Sequence, residues 1–141
     1  MSLAHSTGPE SWPTHRLLSI AARLNELRIN RNLMHLGLTK GSLDVLESVA
    51  ELEPVTVSDL ATLLCVSKQS LGRVVRRLQG LGLLSRERSG DRRYSDIRVT
   101  HQGRKVLATA EALVQRLTQN KSDIEPALHH DLERYIRDLR M

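Results

Sequence analysis

Residues 68–79 constrain the fold more tightly than any other part of the chain. Leu71, Val74, Val75 and Leu78 recur at helical spacing on one side of a helical wheel, and Gln69, Arg73, Arg76 and Arg77 cluster on the opposite side, with Ser70 and Gly72 at the edges. The segment is therefore a helix that buries one face and presents arginines and a glutamine on the other. Before it, Ser58 is expected to cap a brief helix containing Leu60, Leu63 and Leu64, with Asp59 in the first turn, and Cys65-Val66-Ser67 forms a turn. After it, Gly80 and Gly82 break the helix. Two β-type segments follow, residues 83–88 and 94–100, joined by Ser89-Gly90-Asp91-Arg92 as a hairpin with a polar, basic tip. Short helix, tight turn, second helix and basic hairpin is the winged helix-turn-helix order.

The same stretch explains the charge of the chain. Residues 67–93 hold eight of the 21 basic and two of the 16 acidic side chains, a net +6, while the remainder sums to −1. A positive charge this concentrated is the footprint of a surface that meets polyphosphate.

Elsewhere, residues 1–11 read as a flexible start. A helix is expected from about Thr14 to Asn30, with Leu17, Ile20, Ala21, Leu24 and Leu27 in a stripe. Thr39 is placed to cap a second helix bearing Leu43, Leu46, Val49 and Ala50, which Pro54 ends, and Val55-Thr56-Val57 is a short β-type stretch. Thr100 caps a long helix with Val106, Leu107, Ala110, Leu113, Val114 and Leu117. Ser122 and Glu125 make a capping box for a last helix with Ile124, Leu128, Leu132, Tyr135, Ile136 and Leu139. The first and last helices need somewhere to bury their apolar faces, and a second copy of the chain is the economical answer. The expectation is a mainly α fold with a small β-wing. Its flexible N-terminus is residues 1–11 and its single domain residues 12–141, with a winged helix-turn-helix at about 39–100 and dimerisation helices at about 12–38 and 101–141.

Composition removes other classes. No run approaches the roughly 18 apolar residues of a membrane span, and no signal peptide is apparent. A lone cysteine excludes an internal disulfide and fits a reducing cytosol, so a cytoplasmic location is expected. Beside Leu64 and Val66, Cys65 reads as a small buried hydrophobe rather than a redox centre. His129 and His130 point about 100° apart on a helix and have no partners at metal spacing, so no metal site is expected. His101 reads as a surface or boundary residue. No nucleophile–base motif, phosphate-cradling loop or carboxylate pair supports catalysis, and no cofactor is implied. With two Tyr, one Trp and no Phe, stacking platforms for single strands are missing.

Several motifs in order resemble the MarR family of bacterial and archaeal transcriptional regulators: Leu38-Thr39, Asp59-Leu60-Ala61, Val66-Ser67-Lys68-Gln69-Ser70, Leu78-Gln79-Gly80-Leu81-Gly82-Leu83-Leu84, and Asp91-Arg92-Arg93 nine residues before Thr100. The resemblance runs from about Leu38 to Leu107. The chain departs from the family pattern at Ser89-Gly90, where a Pro is frequent, at Val99-Thr100 in place of Leu-Thr, and at Ser42, where Gln is common. The resemblance implies a homodimeric, sequence-specific regulator, most often a repressor, that binds a pseudo-palindrome in double-stranded DNA. The major groove admits one helix, and Gln or Arg can bond bidentately to purine edges. Gln69 and Arg73 are therefore the expected base readers, with Arg77 next. Ser67, Lys68 and Ser70 are expected to hold phosphates, and Arg76 to do either. In the wing, the resemblance places Arg93 in the minor groove, oriented by Asp91, with Arg86, Arg88 and Arg92 along the backbone. Arg98 is expected to be a structural pair partner. By the same resemblance, a small effector binds near His15, Arg16, Met34, His35 and the helix at 101–120, between dimer base and winged module. Two other readings are a non-specific architectural DNA-binding protein and a winged-helix protein-interaction module.

Overall fold

The computed structural model describes residues 8–88, 95–118 and 125–141. Among them the order is α1 (Thr14–Leu33), α2 (Lys40–Leu52), α3 (Val57–Leu64), α4 (Lys68–Gly80), β1 (Leu84–Arg88), β2 (Ser95–Val99), α5 (His101–Thr118) and α6 (Glu125–Leu139). Short 3-10 turns, Pro9–Ser11 and Met34–Leu36, flank α1. This is the helix-rich winged helix-turn-helix that the residue pattern predicts. The hairpin tip, including Asp91, Arg92 and Arg93, and the capping box at Ser122 lie outside the described residues.

Caps explain most of the boundaries. Thr39 Oγ1 accepts the Ser42 N–H at 3.1 Å and starts α2. Thr56, not Ser58, starts α3: its backbone stays extended and its Oγ1 accepts the Asp59 N–H at 3.2 Å, whereas Ser58 already lies inside the helix. The expected β-type stretch shrinks accordingly to Val55, which bridges to Ile97, while Val57 opens the helix. Gly80 is the last residue of α4 rather than its breaker. The chain reverses at Gly82, whose φ of 79° suits glycine, and the Leu83 N–H returns to the Leu78 carbonyl at 2.9 Å. Thr100 Oγ1 caps α5 by accepting the Gly103 N–H at 2.9 Å and donates to the Gly82 carbonyl at 2.6 Å.

The core sits inside the winged module. Leu46 and Val49 of α2, Leu60 of α3, Leu71, Val75 and Leu78 of α4, and Ile97 of β2 are fully buried, joined by Leu33 from the end of α1. Removing each such side chain from water stabilises the fold by about 1.5–3 kcal/mol. From α5, Leu107 and Ala110 complete the cluster. The helix starts so close to the hairpin that a Cβ on Gly103 would overlap the Leu83 carbonyl. The outer helices behave differently. In α1 only Ile29 and Leu33 are buried, and α6 buries nothing. Leu24 is 61% and Leu139 68% exposed, with Leu17, Leu27, Leu128 and Ile136 also uncovered, so both apolar stripes face outward in one chain.

Candidate nucleic-acid interface

The turn that delivers α4 is a left-handed helix stop. Cys65 ends α3 at φ 57°, and the Val66 N–H returns to the Ala61 carbonyl at 3.1 Å. Held outside the helical face that packs inward, Cys65 is exposed, contrary to the buried hydrophobe expected of it. Ser67 follows as the N-cap, its Oγ accepting the Ser70 N–H at 3.0 Å. The Ser67 oxygen is thus already engaged as a cap, so a phosphate could draw only on its hydroxyl hydrogen or on nearby main-chain N–H groups.

Along α4 the two faces separate as the residue pattern requires. Leu71, Val75 and Leu78 are buried and anchor the helix, while Lys68, Gln69, Ser70, Arg73, Arg76 and Arg77 are all exposed. Among the described residues no carboxylate pairs with any of those four cations. Their charge is therefore presented outward without internal compensation.

The hairpin adds a second basic element. Its register pairs Leu84 with Val99, Arg86 with Ile97 and Arg88 with Ser95. Strand parity puts Arg86 and Arg88 on the face of Leu84, Ile97 and Val99, and Glu87 and Asp96, directly opposite each other, on the other face. Arg86 Nε donates to Ser95 Oγ at 2.8 Å, which fixes this guanidinium across the hairpin. Arg98 is exposed and has no ion-pair partner among the described residues.

The four expected effector residues divide into two groups. His15 and Arg16 lie at the start of α1, where the Arg16 guanidinium sits 5.6 Å from the centre of the Trp12 ring. Met34 and His35 occupy the 3-10 turn at the other end, Met34 being 72% exposed. The length of α1 separates the pairs by about 28 Å, so one chain does not bring them together. A cleft of about 180 Å³ lies elsewhere, between Asp44 and Val45 of α2, Leu64 and Val66 at the end of α3, and Ser70 and Val74 of α4.

Two further features escaped the sequence. At the α2–α5 junction, burial and the facing carboxyl of Glu111, helped by Asp44 and opposed by Lys40, push Glu47 from 4.5 up to about 7. Lys40 itself bridges Asp44 at 2.8 Å. At the base of the hairpin, Glu53 joins α2, β2 and α5 through bonds to Val99 and Arg104. Neither carboxylate belongs to a local motif. Each acquires its partner only through folding.

Among the described residues no group of three or more His, Cys, Asp or Glu side chains could hold a metal, and no helix is long and apolar enough to cross a membrane.

The MarR family model matches residues 38–94, from the start of α2 into the hairpin. No curated protein matches the chain. Among solved structures, a crystal structure of MarR is 26% identical with a TM-score of 0.78, over 94% of both chains. A mutant MarR from E. coli complexed with operator DNA is 25% identical, with a TM-score of 0.75 over 90% of this chain and 95% of that one. The transcriptional regulator BldR from Sulfolobus solfataricus is 25% identical, with a TM-score of 0.73 over 87% and 92%. With the motifs in order, the winged helix formed and the backbone followed through the outer helices, the chain is similar to MarR-family regulators, in its winged module by sequence and over nearly its whole length by fold.

Proposed function

We propose that this protein is a homodimeric transcriptional regulator that reads a pseudo-palindromic operator in duplex DNA, acts as a repressor, and is released by a small effector. The observation that carries the reading is the exposed, uncompensated cationic face of α4, held rigid by its buried opposite face. A similar MarR has been solved complexed with operator DNA, which supports the same use here. Gln69, Arg73 and Arg77 read bases in the major groove, Lys68, Ser70 and Arg76 hold phosphates, and the hairpin with Arg86 and Arg88 follows the backbone. Arg93, oriented by Asp91, enters the minor groove, with Arg92 along the backbone.

Dimerisation accounts for the uncovered stripes of α1 and α6. It also bears on the effector: with the two residue pairs about 28 Å apart at the two ends of α1, a pocket that uses both draws on two protomers. An effector releases DNA by favouring one spacing of the recognition helices over another.

Selection of bound duplexes from a random pool tests the reading. A regulator should prefer its site over random duplex by ~10³ or more. Arg73→Ala should lower that preference, whereas Lys68→Ala should weaken all duplexes alike and flatten the log K versus log salt slope by up to ~1. A wild-type protein with no preference would point to the architectural alternative, and no duplex binding at all to an interaction module.

A further inference from the structure

We infer that Glu53 is the positioning residue of the wing: its carboxylate locks β2 to the end of α2 and the first turn of α5, so that the hairpin meets the duplex at one fixed angle to α4. The inference rests on the DNA-binding reading above.

The geometry is that of a ladder continued by a side chain. Val55 and Ile97 exchange both main-chain bonds, at 3.3 and 2.8 Å. The next bonded pair in an antiparallel ladder lies two residues away on each strand, opposing residue 53 to Val99. There the main chain gives way to a side chain, because the Val99 N–H donates to Glu53 Oε2 at 2.9 Å. A carboxylate can do what a carbonyl cannot, since its second oxygen, Oε1, accepts from Arg104 of α5. The Glu53 side chain is 16% exposed against 54% for Arg104, so the acid lies in the seam and the base covers it from outside. Three elements far apart in sequence thus share one group. An acidic side chain near a DNA-facing hairpin weakens phosphate attraction, so electrostatics alone disfavours a carboxylate here.

That opposition makes the test selective. Glu53→Ala adds a net positive charge, and if charge alone mattered every duplex would bind more tightly. The expected result is the reverse for the selected site: affinity falls about 10-fold or more while random duplex binds as well or better. Glu53→Gln keeps an oxygen for the Val99 N–H but turns an amide nitrogen toward Arg104, so its affinity for the selected site should fall between those of wild type and Glu53→Ala. Hydrogen exchange without DNA supplies a second readout: in Glu53→Ala the amides of Ile97 and Val99 should exchange faster while those of Leu71–Leu78 stay protected. Glu53→Leu, which fills the space without an acceptor, gives the same reading should Glu53→Ala not fold. Unaltered exchange and selectivity in a protein that prefers its site would overturn the inference alone. A wild type with no sequence preference would overturn the DNA-binding reading and the inference together.

Discussion

Glu47→Gln removes a titrating group from the α2–α5 junction while keeping its size and its capacity to bond Glu111. In the folded chain, burial and the neighbouring Glu111 hold this carboxyl at about 7 instead of 4.5. Unscreened, a rise of that size amounts to about 3 kcal/mol. Glu47 remains partly open to solvent, and screening leaves roughly half, ~1.5 kcal/mol. Because the folded value lies above the unfolded one, the folded state holds the proton more tightly. The associated stability is complete below pH 4.5 and is lost as pH rises through about 7. Urea unfolding of wild type and Glu47→Gln at matched pH between 4 and 9 isolates this term, since the other carboxylates titrate in both. The two proteins should be nearly equal at the acidic end, and the variant should be more stable by ~1.5 kcal/mol at pH 8. Adding Glu111→Gln to both should shrink the difference. A pH-independent offset, or a wild type that gains on the variant as pH rises, would refute the reasoning.

Gly103→Ala forces a Cβ against the Leu83 carbonyl and should cost about 1–3 kcal/mol, read as a drop in thermal midpoint; an unchanged midpoint would mean the helix is free to lift. Cys65→Gly should raise stability by about 0.5–1 kcal/mol by relieving a left-handed non-glycine stop, and a lower midpoint would count against that account of the turn.

What the sequence discloses depends on how local the cause is. The two faces of α4 follow from the spacing of Leu71, Val75, Leu78 and the arginines, and the structure reproduces them. Thr39 and Thr100 were legible as caps because each is the hydroxyl residue immediately before its helix. Thr56 and Ser58 compete two residues apart, and only the extended backbone that Val55 takes on pairing with Ile97 selects Thr56. Cys65 beside two apolar residues looks buried, yet its place in a helix stop turns it outward. Glu53 meets Val99 across 46 residues, and no periodicity marks such a contact. The effector residues lie at opposite ends of α1, His15 and Arg16 in its first turn and Met34 and His35 in the 3-10 turn beyond it, a separation that becomes plain only when α1 is seen to run unbroken from Thr14 to Leu33.

The missing side chain at Gly103 has a mechanical consequence. With the first turn of α5 seated on the Leu83 carbonyl, Thr100 tied to Gly82 and Glu53 joining β2 and α5 to α2, the winged module and α5 form one rigid bent lever. The arm made by α5, 18 residues, is about 27 Å long, and the arm made by five-residue strands is about 17 Å. A rotation of about 10° that shifts the far end of the helix by about 5 Å then carries the outer end of the hairpin through about 3 Å. That is close to the roughly 3.4 Å between successive nucleotides of one DNA strand. A modest rotation of the whole module against the outer helices would therefore carry the wing by nearly one step along a duplex.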